Sequence, residues 1–196
     1  MSKADPASSK KEKNKAAKWV LTIFIVTILV SSVISFASKE LMGGSHIVVA
    51  FLVLLAIVLL GIIFDIVGVA VTSADEKPFH SMAARKVAGS QEAIVLLRNA
   101  DKVGSICNDV VGDICGVVSG SASATIAAKV LSSGIVDLSW EQLVSLAMSA
   151  LVAALTVAGK ALGKNIAINS CTSIVHVSGV VIYQIKHIPD IFRKKK

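Results

Sequence analysis

The sequence predicts an all-α polytopic membrane protein with about four transmembrane helices, a cytoplasmic helical hairpin and a C-terminal juxtamembrane helix. Apolar residues make up 54% of the 196 residues and charged residues only 17%, whereas an average soluble protein has roughly 25% charged residues. The mean hydropathy is +0.75. A soluble domain of this size has too little interior to bury so much apolar surface, so lipid is the expected solvent for much of the chain.

The predicted spans follow one another after a basic tail, residues 1–18. Segments 19–37 and 47–71 are apolar, and about 20 residues of helix cross a bilayer core. The first segment is longer than the apolar part of a signal peptide and lacks a clear cleavage site, so we expect a retained helix. Two further segments, from Val103 to about Val136 and from Leu143 to Ala158, are richer in small and polar residues, which are tolerated where a span packs against protein.

The distribution of positive charge predicts the orientation. The net charge is +7, and all but two of the 20 Lys and Arg residues lie in the tail 1–18, in the segment 72–102 or after Ala158. The positive-inside rule places these parts in the cytoplasm, which predicts a multi-pass protein of the cell membrane with both termini cytoplasmic. Anionic lipid at the cytoplasmic face is the expected partner. No basic face interleaved with aromatic residues points to nucleic acid.

Two segments outside the spans are predicted to be helical at the membrane surface. In segment 72–102, Pro78 fits near a helix N-terminus and Gly89-Ser90 interrupts the apolar pattern, so we expect two short helices in a hairpin. Residues 165–183 are long enough for a fifth span, but that span would place the basic C-terminal tail, residues 186–196, outside. We therefore expect an interfacial helix, with the fifth span as the alternative.

A few polar residues lie inside the predicted spans, where a carboxylate usually faces a cavity, a partner or an ion. Asp65 lies in the second span, and Asp109 and Asp113 in the third are four residues apart and share a helical face. Together with Asn108, these side chains would form an oxygen-ligand set suited to Mg²⁺ or Ca²⁺. The candidate metal-site residues are Asp65, Gly68, Asn108, Asp109, Gly112 and Asp113.

Alternative roles for these residues stay open at the level of sequence. Each acid lies toward the cytoplasmic end of its span and could be solvated, could cap a helix, or could pair with Lys102, Lys160 or Lys164. Glycine at position 68 could expose backbone carbonyls as ligands or let the helix unwind. The repeated small residues Gly112, Gly116 and Gly120 fit intramolecular packing and homodimerisation equally well.

Cysteine and histidine residues give no sign of redox, zinc or enzyme chemistry. The three cysteines are odd in number and lie in or near the membrane or on its cytoplasmic side, so no disulfide is expected, and they lack zinc-type spacing. The histidines form no nucleophile motif. We therefore expect neither enzymatic activity nor an organic cofactor.

The order of these elements resembles a known family. A span with Phe-x-x-x-x-x-Ala at 64–70 is followed by a basic hairpin, a third span opening on Ile-x-Asn at Asn108, a fourth closing on Gly159, and a juxtamembrane helix. This order resembles the transmembrane domain of the cyclin M and CorC magnesium exporters over residues 47–185, with residues 19–37 as an added N-terminal span.

The resemblance implies a function and a ligand set. The family's second-span motif, Phe-Ser-Ala-Ala-Glu-x-Ala, aligns so that its metal-ligating serine falls on Asp65 and its glutamate on Gly68. The ligating asparagine of its Ile-Gly-Asn-Asn run falls on Asn108. The resemblance therefore implies a homodimeric transporter or exporter of a divalent cation of the Mg²⁺ type, working by alternating access.

One departure from the family bears directly on that function. The family's Gly-Glu-x-x-Pro-Lys motif matches Gly159 to Lys164 and puts Lys160 where the family has an acid, which removes a ligand and repels a cation. Lys160 is therefore a candidate modulator of the site. The sequence ends at Lys196, so we expect a stand-alone form without CBS domains. The alternative function is a non-transporting membrane scaffold or partner subunit that keeps the fold but has lost the ion site.

Overall fold

The structure, a computed structural model, describes the backbone of residues 6–133 and 140–193 and the side chains of residues 17–133 and 140–187. Every regular element in these ranges is a helix. The helices before the third span are α1 (Pro6–Gly43), α2 (Ile47–Ser73), α3 (Lys77–Ala84) and α4 (Ser90–Arg98). The remaining elements are α5 (Ala100–Gly104), a π-helical segment (Ser105–Gly112), α6 (Asp113–Ser132), α7 (Glu141–Asn169) and α8 (Cys171–Arg193).

Four helices are long and apolar enough to cross a membrane, which confirms the predicted number of candidate spans for the described part of the chain. They are Ala17–Gly43, Ile47–Ser73, Ala100–Ser132 and Glu141–Asn169. The predicted outer connection at 132–139 lies mostly outside the described residues, as do residues 1–5 and 194–196 of the tails.

Two helices extend beyond the segments predicted from the sequence. Helix α1 begins at Pro6, so most of the basic tail continues the first span as helix. Helix α7 runs to Asn169, well past the predicted end at Ala158. Once a helix exists, each added residue contributes a backbone hydrogen bond, and alanine and lysine are good helix formers. Hydropathy therefore located the apolar part of α1 and α7 but not the ends of these two helices.

Helix α2 is the centre of the bundle and packs against α6, α7 and the π-helical segment. Its residues Ala50, Leu54 and Val58 are buried in one apolar cluster with residues of α6 and α7. Close approach depends on small residues: a Cβ added at Gly61 would lie 2.8 Å from the Cβ of Cys115 on α6. Helix α1 is peripheral, since none of its most apolar window is buried. Spans of a membrane bundle associate through such close contacts.

Helices α3, α4 and α8 form a second packed unit at one end of α2. Phe79, Ala93 and Val175, one from each helix, are buried in a cluster with Ala70 and Val71 of α2. Helix α8 contains most of the predicted juxtamembrane segment, residues 165–183. It is not one of the four candidate spans found among the described residues.

Two glycines allow the loop before α4 to touch α8. Gly89 has φ +80°, a left-handed conformation that suits glycine, and lies against the backbone of Val180. A Cβ added at Gly179 would collide with the carbonyl oxygen of Gly89 and lie 3.0 Å from the amide nitrogen of Ala93. The backbones are therefore in direct contact, with no room for side chains between them.

We predict that Gly179→Ala lowers the stability of the protein by about 1–3 kcal/mol, because the added methyl group must push two backbones apart. The measurement is the apparent Tm of purified protein in detergent. Gly43→Ala at the end of α1 is the matched control, since a Cβ there meets nothing within 4 Å, and we expect it to keep or raise the Tm. Equal Tm values for Gly179→Ala and the wild type would contradict the close contact.

Candidate functional site

A cluster of charged side chains lies where α2, α6 and α7 meet. The Lys160 Nζ on α7 is 3.8 Å from Asp65 Oδ1 on α2 and 4.0 Å from Asp113 Oδ1 at the start of α6. The side chains of Asp65 and Lys160 are 17% and 25% exposed, whereas that of Asp113 is 75% exposed. The ammonium group therefore lies within ion-pair distance of both carboxylates. We call Asp65, Asp113 and Lys160 the charge cluster.

Electrostatics favour this arrangement in an apolar helix bundle. Removing a charge from water costs several kcal/mol, and the cost is offset only when an opposite charge is close and well placed. Lys160 provides that opposite charge for Asp65, the less exposed of the two acids. One ammonium against two carboxylates still leaves the cluster one net negative charge.

A π-helical segment interrupts the third span beside the charge cluster. It covers Ser105–Gly112 and ends directly before Asp113. π-helical turns are rare and occur frequently at functional sites. Gly112 closes the segment and leaves space: an added Cβ would lie 3.2 Å from Lys160 Nζ and 3.7 Å from Asp65 Oδ1. The absence of a side chain at 112 therefore lets the lysine and the aspartate meet across this helix.

Asn108, within the π-helical segment, carries a side-chain oxygen for which residues 17–133 and 140–187 supply no hydrogen-bond partner. Its side-chain oxygen, Oδ1, is buried and accepts no hydrogen bond among the described residues. The same oxygen lies against Gly68, where an added Cβ would collide with it. An unsatisfied buried acceptor costs about 1–3 kcal/mol, and such an atom in a folded protein calls for an explanation such as an ion or a water. Gly68 follows Asp65 by about one helical turn.

The predicted metal-site residues fall into two neighbouring groups. The structure brings Asp65, Asp113 and Gly112 together around Lys160, and it places Asn108 against Gly68. Asp109 is exposed, and its side chain forms no ion pair within the described ranges. Among those residues, no three His, Cys, Asp or Glu side chains are close enough to share a metal ion.

A groove between α6 and α7 opens beside the charge cluster. It has a volume of about 460 Å³, and its lining includes Asp113, Lys160, Thr156 and Ser149. At Ser149 the groove reaches a contact between α7 and α6, since the Ser149 Oγ is 3.3 Å from the Ser123 Oγ. The groove lining is mostly apolar, and its polar side chains lie at the charge cluster and along α7 at Thr156 and Ser149.

Several features of this site were missed at the level of sequence. The serines and Thr156 of the groove look like ordinary small polar residues of a span, and only their position opposite α6 distinguishes them. The π-helical segment has no composition that sets it apart. The sequence allows Lys102, Lys160 or Lys164 as partner of the acids, and the structure places Lys160 beside Asp65 and Asp113.

The described part of the chain is α-helical, and four of its helices are long and apolar enough for a multi-pass membrane protein. Comparisons of the chain with protein-family models, with curated proteins and with solved structures find no match. The geometry of the charge cluster, Asn108 and the groove therefore supplies the basis for a functional proposal.

We predict that Asp65 and Lys160 are energetically coupled. Asp65→Asn should lower the free energy of unfolding by about 1–3 kcal/mol, because it leaves a partly buried ammonium without its nearest carboxylate. Lys160→Met should lower the free energy of unfolding much less in the Asp65→Asn variant than in the wild type. Unfolding curves of the two single variants and the double variant in detergent measure the coupling.

The matched control for this cycle is Asp113→Asn, because Asp113 is largely exposed and exposed ion pairs contribute about 0–1 kcal/mol. Additive effects of Asp65→Asn and Lys160→Met would show that the ion pair does not stabilise the bundle.

Proposed function

We propose that this protein is a membrane transporter or exporter of a divalent cation of the Mg²⁺ type. In this proposal the ion is bound by oxygen atoms of Asp65, Asn108 and Asp113 and moves by alternating access. The observation that carries the proposal is the buried Oδ1 of Asn108, which has no hydrogen-bond partner among the described residues and lies against Gly68, about one turn along α2 from Asp65. Mg²⁺ and Ca²⁺ bind carboxylate and amide oxygens, and interrupted helices supply ion sites in transporters.

The groove between α6 and α7 supports the same function. A cation released from the charge cluster needs oxygen atoms along its route through an apolar bundle, and the mostly apolar groove offers a few. The groove is bordered by Asp113 at one end and by the hydroxyl-bearing residues Thr156 and Ser149 further along α7. It also gives the flexible Lys160 side chain a space into which it can withdraw when an ion takes its place.

A second candidate function is a non-transporting scaffold or partner subunit. It is favoured by Lys160 itself, whose ammonium group is within 4.0 Å of both carboxylates and repels a cation. In this alternative the charge cluster serves only to hold α2, α6 and α7 together. Flux through liposomes separates the two functions, because a scaffold gives none even if a cation binds.

The proposal includes a location and an assembly. Four spans with basic segments on one side indicate a multi-pass protein of the cell membrane with both termini in the cytoplasm and with anionic lipids at that face. A homodimer is supported by Gly116 and Gly120 on α6, where an added Cβ would meet nothing within 4 Å. Small residues at such positions let a second helix approach closely.

We predict that calorimetry of the purified protein detects binding of Mg²⁺, Ca²⁺ or Mn²⁺ at millimolar concentration. Asp65→Ala and Asn108→Ala should each weaken binding by roughly tenfold or more, because each removes a ligand oxygen from a partly dehydrated ion. Asp109→Ala is the control, since Asp109 is exposed, and it should leave binding unchanged. No binding to the wild type, or unchanged binding to Asp65→Ala, would contradict the proposed site.

We predict the orientation of the spans from the same charge distribution. A cysteine introduced at Gly44, in the turn between α1 and α2, should react with a membrane-impermeant maleimide in intact cells. Lys77→Cys at the start of α3 should react only after permeabilisation. Both changes are made in a Cys171→Ser background, because Cys171 is part-exposed whereas Cys107 and Cys115 are buried, and that background alone is the control. The reverse labelling pattern would invert the topology.

A further inference from the structure

We propose that the ammonium group of Lys160 is a tethered substitute for the transported cation, which allows the empty carrier to return across the membrane without a counter-ion. This inference rests on the proposed transport function and adds the coupling mode of the same site. It starts from one observation: the Lys160 Nζ lies 3.8 Å and 4.0 Å from the carboxylates of Asp65 and Asp113, two proposed ligands of the ion.

The physical reason concerns the return step of alternating access. After release of its ion, a carrier must pass through a state in which its site is closed to both solutions. A site that contains uncompensated carboxylates resists this closure, because charges removed from water and left without partners are strongly unfavourable. Without an internal positive charge, such a carrier returns only with another bound ion and therefore works as an exchanger.

The charges of this site fit a substitution of lysine for ion. With Lys160 between Asp65 and Asp113, the three groups have one net negative charge. With a divalent cation bound, the same three groups and the ion have one net positive charge, and once the lysine has withdrawn into the groove the two carboxylates and the ion are neutral. In neither state are both carboxylates left without a positive charge beside them, so both states can close at a similar electrostatic cost.

The geometry provides both positions that the lysine needs. Toward the carboxylates, its path is open because Gly112 has no side chain, since an added Cβ there would lie only 3.2 Å from the Nζ. Away from them, Lys160 lines the groove of about 460 Å³ between α6 and α7. The side chain therefore has one position at the ion site and free space beside it.

Helix α7 offers a matched control for this role. Lys164 lies one helical turn beyond Lys160 and is exposed, and it forms no ion pair within the described ranges. Replacing Lys164 removes the same charge from the same helix without touching the charge cluster. A general effect of positive charge on flux would therefore appear when either lysine is replaced. A role as substitute cation would appear only when Lys160 is replaced.

The experiment compares the full chain with Lys160→Met and Lys164→Met in liposomes that contain a Mg²⁺-sensitive dye. Net Mg²⁺ flux by the wild type and by Lys164→Met should be the same with and without Mg²⁺ on the opposite side. In Lys160→Met, net flux should fall by roughly tenfold, while exchange against Mg²⁺ on the opposite side should persist. Calorimetry should show that Lys160→Met binds Mg²⁺ roughly tenfold or more tightly, because a competing positive charge near 4 Å is gone.

The outcomes separate this inference from the transport function. Net flux by Lys160→Met equal to that of the wild type, or an unchanged Mg²⁺ affinity, overturns the tethered-cation role and leaves transport standing. Absence of flux in the wild type and in both variants overturns the transport function and this inference with it. If Lys160→Met does not fold, Lys160→Gln removes the charge while keeping a polar side chain, and the same results are expected of it.

Discussion

The ion pair between Lys160 and Asp65 is the constraint on which the arrangement of the helix bundle depends. Each of these charges is unfavourable in an apolar bundle unless the other lies beside it. Their helices, α7 and α2, must therefore approach closely and in one register. Glycines make this approach feasible: an added Cβ at Gly163 of α7 would lie 2.7 Å from a side-chain carbon of Ile66 on α2. Close packing and charge compensation thus require the same contact between the two helices.

The third span is π-helical rather than α-helical where it passes this contact. Its π-helical segment ends at Gly112, opposite the ion pair, and holds Asn108 against α2 with its side-chain oxygen buried and without a hydrogen-bond partner in the described part of the chain. A π-helical turn and an unsatisfied acceptor each lower stability, and such features persist where the surrounding structure holds them in place, commonly at functional sites. The distortion and the polar atom therefore mark the same place as the charge cluster.

The charge cluster is also mechanically connected to the helices outside the bundle. Helix α2 carries Asp65 and, further toward its end, Ala70 and Val71, which are buried against Phe79 and Val175 of the α3, α4 and α8 unit. The backbone contact between Gly89 and Gly179 ties α4 to α8 within that unit. A shift of α2 that opened or closed the ion site would therefore require these helices to move with it or to repack.

The sequence by itself determined the class of protein, the number of candidate spans and the presence of acids within them, because hydropathy and charge are local properties that add along the chain. It left open which lysine pairs with Asp65, and it included both Asp109 and Asp113 among the candidate metal-site residues. The tertiary structure decided that Lys160 is the partner, that Asp109 is exposed and that the Asn108 oxygen is buried. These outcomes depend on the rotation and depth of each helix, and a π-helical segment changes both without leaving a pattern in the sequence.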